Sequence, residues 1–330
     1  MTRLAGSVGQ PWKSGFLRNI ATVAGGTAAA QIVTVAFSPL ITRLYGPEAF
    51  GLVGTFMAMV MLVGPLASLA YAQAIVLPRS DAEARALLAL SLLSGLVVTG
   101  LAAAAFGGWH RQIADAVGFT AASTWLLLAP VMTLLGAVSD PLQQWLVRKQ
   151  QFRAISRVAM LQAVVTNTSK AAAGLVLAIA PVLLMLTVLG SAFNALLLWL
   201  AARRATLAGD DRSSAGAHGP AAVSLVDAAT RYRDFPFYRA PQVWLNSASQ
   251  SIPPLMLATL AGPAAVGAYA VARTVLALPG TLISGAVGTV FLPRLVEAGH
   301  RAERLRPLVL KGTAGLALVG LLPFCVLFST

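Results

Sequence analysis

Three ionisable side chains fall inside long apolar runs: Lys170, Arg273 and Asp140. A charge in the middle of a membrane helix costs about 2.5–3.5 kcal/mol on insertion scales, so each one needs a reason. Lys170 shares a helical face with Gln162 and Thr166, at i−8 and i−4. Arg273 is continued on its face by the small residues Ala277, Gly280 and Ser284. Cations lining a cavity attract phosphate, and a guanidinium grips it through two parallel hydrogen bonds. Other readings stay open: Lys170 can pair with Asp140, and Arg273 can snorkel to the outer interface. Arg43 is either an interfacial anchor or a ligand contact. Asn246 and Gln250, one turn apart, suit hydrogen bonds to ligand hydroxyls or to a neighbouring helix. Asp140 is the one intramembrane acid and hence the candidate for ion coupling.

Several other chemistries are excluded. No G-x-x-x-x-G-K-[ST] run occurs, so no P-loop binds nucleotide. His110, His218 and His300 lie far apart and make no metal-ligand spacing, and Cys325 is the single cysteine. No pair of acids suits acid–base work, and no cofactor is expected.

The elements that must carry these residues follow from composition. Of 330 residues, 57% are hydrophobic and 11% charged, with a mean hydropathy of +0.77. Soluble domains carry about a quarter charged residues, so lipid is the solvent here. Apolar runs predict about nine membrane helices, at 20–41, 50–77, 86–106, 124–147, 158–180, 182–202, 238–260, 264–292 and 308–328. The first is too long for a signal-peptide core. It carries Thr27, Gln31, Thr34 and Ser38 on one face, which suits either helix packing or a wetted cavity. Residues 107–123 read as an outer loop with a short interfacial helix. Residues 203–237 read as a linker, separating an N-terminal six-helix lobe (1–202) from the first three helices of a second lobe (238–330). Trp145, Trp199 and Trp244, near inner helix ends, suggest an interfacial aromatic belt.

The net charge of +13 raises a nucleic-acid partner, but charge placement removes the need for one. With the N-terminus in the cytoplasm, all of the 24 lysines and arginines except Arg43, Arg111, Lys170 and Arg273 fall on the inner side. That is the positive-inside bias of a multi-pass protein.

Gly46, Pro47, Ala49 and Gly51 recur as Gly262, Pro263, Ala265 and Gly267, at one offset (262 − 46 = 216). In both places a Gly-Pro turn joins two long apolar runs. An even number of helices separates the copies, which predicts parallel repeats with a substrate site between two bundles. A complete duplication requires about three further helices beyond the ninth.

The opening LRNIATVAGGTAAAQIVTVAFSPLITRLYGPEAFGLVGTF resembles the start of bacterial polysaccharide flippases of the Wzx type. Residues Arg231–Pro236, Ala272-Arg273, Leu278-Pro279 and Phe291–Arg294 resemble the start of that family's second lobe. The resemblance implies an all-α, two-lobed transmembrane bundle of the superfamily that also holds multidrug exporters. It implies a non-enzymatic transporter in the cell inner membrane, with an undecaprenyl-pyrophosphate-linked oligosaccharide as cargo. It also implies polysaccharide polymerase or ligase partners and alternating access between leaflets. The rival within the superfamily is a multidrug or cation antiporter, which would be expected to line its cavity with acids.

Overall fold

The computed structural model of the chain describes residues 14–78, 80–213 and 224–286. Among them every regular element is helical: α1 (Ser14–Ala67), the short α2 (Tyr71–Ala74), α3 (Asp81–Ala116), a 3-10 stretch (Thr120–Leu128) and α4 (Ala129–Arg148). Then follow α5 (Phe152–Val176), α6 (Ala180–Ser213), α7 (Leu225–Arg231), a π-helical turn (Phe235–Arg239) and α8 (Ala240–Ala286). Five described segments are long and apolar enough to cross a membrane: Gly25–Ala67, Asp81–Ala116, Ser123–Arg148, Ala180–Thr206 and Phe235–Thr274. The chain is a multi-pass membrane protein. The expected ninth helix, 308–328, lies outside the described residues, as do Arg79 and residues 1–13.

Helix α1 is a hairpin folded at Gly46, whose φ of 74° and ψ of 167° leave the helical region. A positive φ of this kind suits glycine, which has no Cβ to clash with the backbone. The neighbours prove the reversal. Gly26 lies on Ser156, Thr34 bonds Asn167, and Gly174 packs on Tyr45 and Leu44, so the first arm runs alongside α5 in the same sense. After the turn the chain comes back, and Tyr71, Ala74 and Ile75 pack with Ile155 and Val158 near the start of α5. Helix α8 repeats the device at Gly262, with φ 79° and ψ 177°. Arg273 hydrogen-bonds Gln250 across that turn, so its two arms also lie side by side.

The two hairpins meet at their turns, and they do so reciprocally. Gly51 sits against the Pro263 carbonyl, and Gly267 sits against the Pro47 carbonyl, with no space for a Cβ at either. Gly54 continues the seam against Val266 and Ala270. Small residues let membrane helices approach to backbone contact, which is how dispersion replaces the missing hydrophobic drive. Helix α1 is thus the common partner, with α5 along its first arm and α8 against its turn and second arm.

The opposite end is basic and polar. Ser80 caps α3, its hydroxyl accepting the Glu83 N–H at 3.2 Å, in a Ser-Asp-Ala-Glu capping sequence. Arg148 donates to the Asp81 carboxylate at 3.0 and 3.1 Å and to the Pro78 carbonyl at 2.6 Å, and Lys149 reaches the other Asp81 oxygen. Arg231 pairs with Glu83 at 3.0 Å, and Arg239 donates to Gln73 at 2.8 Å. Burial, and then the Glu83 charge beside it, raise the Tyr232 hydroxyl above its usual range. These contacts tie α3 to α4 and α7, and α2 to the π-helical turn that leads into α8.

Several expectations change. Helix α3 continues through the expected loop as far as Ala116, bending at Trp109 rather than ending. Helix α6 runs on past residue 202 to Ser213, and α7 is a further helical piece in the stretch read as linker. Trp145 is not in an interfacial belt. It is 2% exposed, packs in the core of the basic end and donates to the Thr206 hydroxyl at 3.3 Å. Trp199, by contrast, is 42% exposed.

Candidate functional site

The two hairpins position most of the polar residues singled out above. Arg273, on the returning arm of α8, is half-buried. It donates through Nη2 to Gln250 Oε1 at 2.6 Å and through Nη1 to the Gln250 carbonyl at 3.4 Å. Gln250 Nε2 in turn donates to Asn246 Oδ1 at 3.3 Å. Three expected site residues therefore form one chain, Arg273–Gln250–Asn246, and Asn246 is exposed at its end. A guanidinium has five N–H donors, so those not used on Gln250 remain for an anion. Holding the head with a neutral amide fixes its orientation without cancelling its charge.

Lys170 stands on α5 one turn before Gly174, the glycine that packs on Tyr45. The Tyr45 hydroxyl donates to the Lys170 carbonyl at 3.0 Å, fixing the backbone there. Among the described residues no carboxylate lies within ion-pair distance of the Lys170 ammonium. The alternative of a Lys170–Asp140 pair is therefore not formed. Asp140 lies on the exposed side of α4, while its neighbours Pro141 and Leu142 face the core. At about 1.5 Å per residue, Lys170 sits about 6 Å from the Tyr45 level, and Arg273 about 9 Å from the Gly267–Pro47 contact. The two cations occupy similar depths on helices that both border α1.

The remaining candidates separate. Gln31, on the first arm of α1, is exposed and makes no hydrogen bond among the described residues. Its neighbour Thr34 is committed to helix packing: its hydroxyl accepts from Asn167 Nδ2 at 3.3 Å and donates to the Ala30 carbonyl at 3.1 Å. Arg43 is exposed beside the Gly46 turn, where an interfacial anchor belongs. Thr166 leaves the stripe expected with Lys170, because it packs directly on Gly190 of α6 and is 9% exposed. Asn167, one residue on, was not singled out. Its only sequence signal is a polar side chain beside the Gln162–Thr166–Lys170 face, and helix rotation decides between the two.

Among the described residues no three His, Cys, Asp or Glu side chains form a cluster. Each of the two cations is without an acidic partner among the described residues, Arg273 oriented by an amide on α8 and Lys170 on α5, and an unpaired cation in an apolar surround attracts an anion strongly.

The family model for polysaccharide biosynthesis proteins matches residues 40–330. The chain belongs to this polysaccharide biosynthesis family, as the quoted segments led one to expect. No curated protein and no solved structure matches it.

Proposed function

We propose that the chain is a flippase that moves undecaprenyl-pyrophosphate-linked oligosaccharide units across the cell inner membrane by alternating access. What supports this reading is two cations without acidic partners among the described residues: Arg273, oriented by Gln250 on α8, and Lys170 at a similar depth on α5. A diphosphate head matches these two charges, Asn246 and Gln31 suit the hydroxyls of the sugar, and the polyprenyl tail stays in lipid. Arg43 would meet the cargo as it leaves. The basic end, carrying Arg148, Lys149, Arg231 and Arg239, faces the cytoplasm together with the N-terminus under the positive-inside rule.

The reciprocal contact of Gly51–Pro263 with Gly267–Pro47 supports two parallel lobes related by an axis along the membrane normal. Helix α1 belongs to one lobe and α8 to the other, so their seam at the turn end closes the outer side in this state. The lobes then rock, the seam parts, and the cargo leaves. Surface polysaccharide in cells that depend on this chain tests the assignment. Arg273→Ala and Lys170→Ala, at matched expression, each abolish most of it. Unchanged polysaccharide in both variants removes the assignment.

A cation antiporter of the same superfamily is the second reading, favoured by one observation: Asp140 has no ion-pair partner among the described residues. Binding of a cationic dye that is lost in Asp140→Asn would support it.

A further inference from the structure

Away from the hairpin seam, the basic end of the bundle carries a groove of about 460 Å³ between α5 and α6. Its mouth is built by Arg157 and Arg204, both exposed, and its apolar wall includes Leu161, Leu197 and Leu200. The register explains the shape. Leu161 follows Arg157 by one turn on α5, and Leu200 and Leu197 precede Arg204 by one and two turns on the antiparallel α6, so both helices go from a cation to leucines in the same direction. Among the described residues no acid lines the groove, and neither arginine has an ion-pair partner. Leu161 and Leu200 are 46% and 38% exposed, so the wall opens outward from the bundle. Beside it, Arg203 stacks on the exposed Trp199 ring at 4.8 Å, a pairing typical of headgroup depth.

We infer that the α5–α6 groove is a binding site for an anionic phospholipid of the leaflet at the basic end, its phosphate between Arg157 and Arg204 and an acyl chain along Leu161, Leu197 and Leu200. Charge complementarity selects the occupant: a zwitterionic lipid brings its own ammonium into a mouth that already holds two cations. The site is separate from the Arg273–Lys170 pair and stands whether or not the cargo assignment holds.

The test is native mass spectrometry of the detergent-purified full chain titrated with phosphatidylglycerol or phosphatidylcholine. Wild type binds phosphatidylglycerol more tightly. Each arginine near a membrane surface contributes roughly fivefold, so Arg157→Gln/Arg204→Gln loses roughly 30-fold of that preference. Arg273→Ala keeps the preference, which separates this site from the cargo path. Inorganic phosphate at matched concentration fails to displace the lipid, because it cannot use the apolar wall. Should the double glutamine variant not fold, Arg157→Lys/Arg204→Lys retains most of the preference and salt weakens it in wild type. Equal binding of both lipids by wild type, or an unchanged preference in a folded double glutamine variant, overturns the inference. So does full displacement by free phosphate.

Discussion

Replacing Gly51 by alanine tests the hairpin seam at its tightest point. The new methyl meets the carbonyl, carbonyl carbon and Cα of Pro263, all of them backbone, so no side chain can swing away to make room. The only relief is a separation of α1 from α8, which strips contacts along the run from Gly51 to Gly54. Overpacking of this kind costs about 1–3 kcal/mol. In a two-state equilibrium that corresponds to roughly a 5- to 150-fold shift away from the closed seam. Gly267→Ala meets the Pro47 carbonyl from the other side and has the same effect. Gly54→Ala is milder, since a Val266 methyl at 3.2 Å can give. Gly64→Ala is the control: nothing lies within 4 Å of its added methyl, so alanine's helix propensity stabilises it by up to about 1 kcal/mol. Thermal unfolding of the five proteins in one detergent reads these out. Because both seam variants open one contact, the Gly51→Ala/Gly267→Ala pair loses less than the sum of its parts. A Gly51→Ala protein as stable as Gly64→Ala, or strict additivity of the pair, refutes the reciprocal seam.

Other outcomes follow from the charged residues. Arg148→Ala leaves the Pro78 and Ile75 carbonyls without their donor and lowers stability by about 1–3 kcal/mol, measured by unfolding in detergent. Asp81→Asn removes only a partly exposed partner and costs about 0.2–1 kcal/mol, less as salt rises. Arg273→Lys retains charge but loses bidentate geometry, so surface polysaccharide falls to a level between wild type and Arg273→Ala. Asp140→Asn does not lower stability, because it breaks no ion pair and removes an intramembrane charge, and it alters transport only where an ion gradient is the driver.

Much of the fold was legible because hydropathy and turn chemistry act locally. The Gly-Pro pairs at 46–47 and 262–263 announced two reversals, and both glycines adopt the positive φ that such reversals require. Their mutual contact was not legible, since a repeat says that two segments are alike and not that they touch. Helices also outran their expected ends: Asp210, Asp211 and Arg212 suggested a linker beyond 202, yet charged residues do not end a helix outside the membrane. The basic end shows the same limit. The Arg148–Asp81 and Arg231–Glu83 pairs join residues far apart in sequence, which no local signal announces. At the candidate site, spacing put Asn246 and Gln250 on one face for a ligand or a neighbouring helix; in the structure they bond each other, and Arg273 joins them because the hairpin closes. Thr166 departed from the expected stripe for a steric reason: the flat surface at Gly190 draws α6 onto it.

The proposed leaflet exchange of a lipid diphosphate runs along a path lined by Arg273 and Lys170. Its most direct measurement uses proteoliposomes loaded with a labelled undecaprenyl-pyrophosphate saccharide and counts the fraction that a membrane-impermeant reagent can reach over time. Wild-type protein is expected to raise this fraction well above protein-free vesicles, and Arg273→Ala/Lys170→Ala to return it to their level. Wild-type exchange no faster than in protein-free vesicles, or full exchange in the double variant, would contradict it.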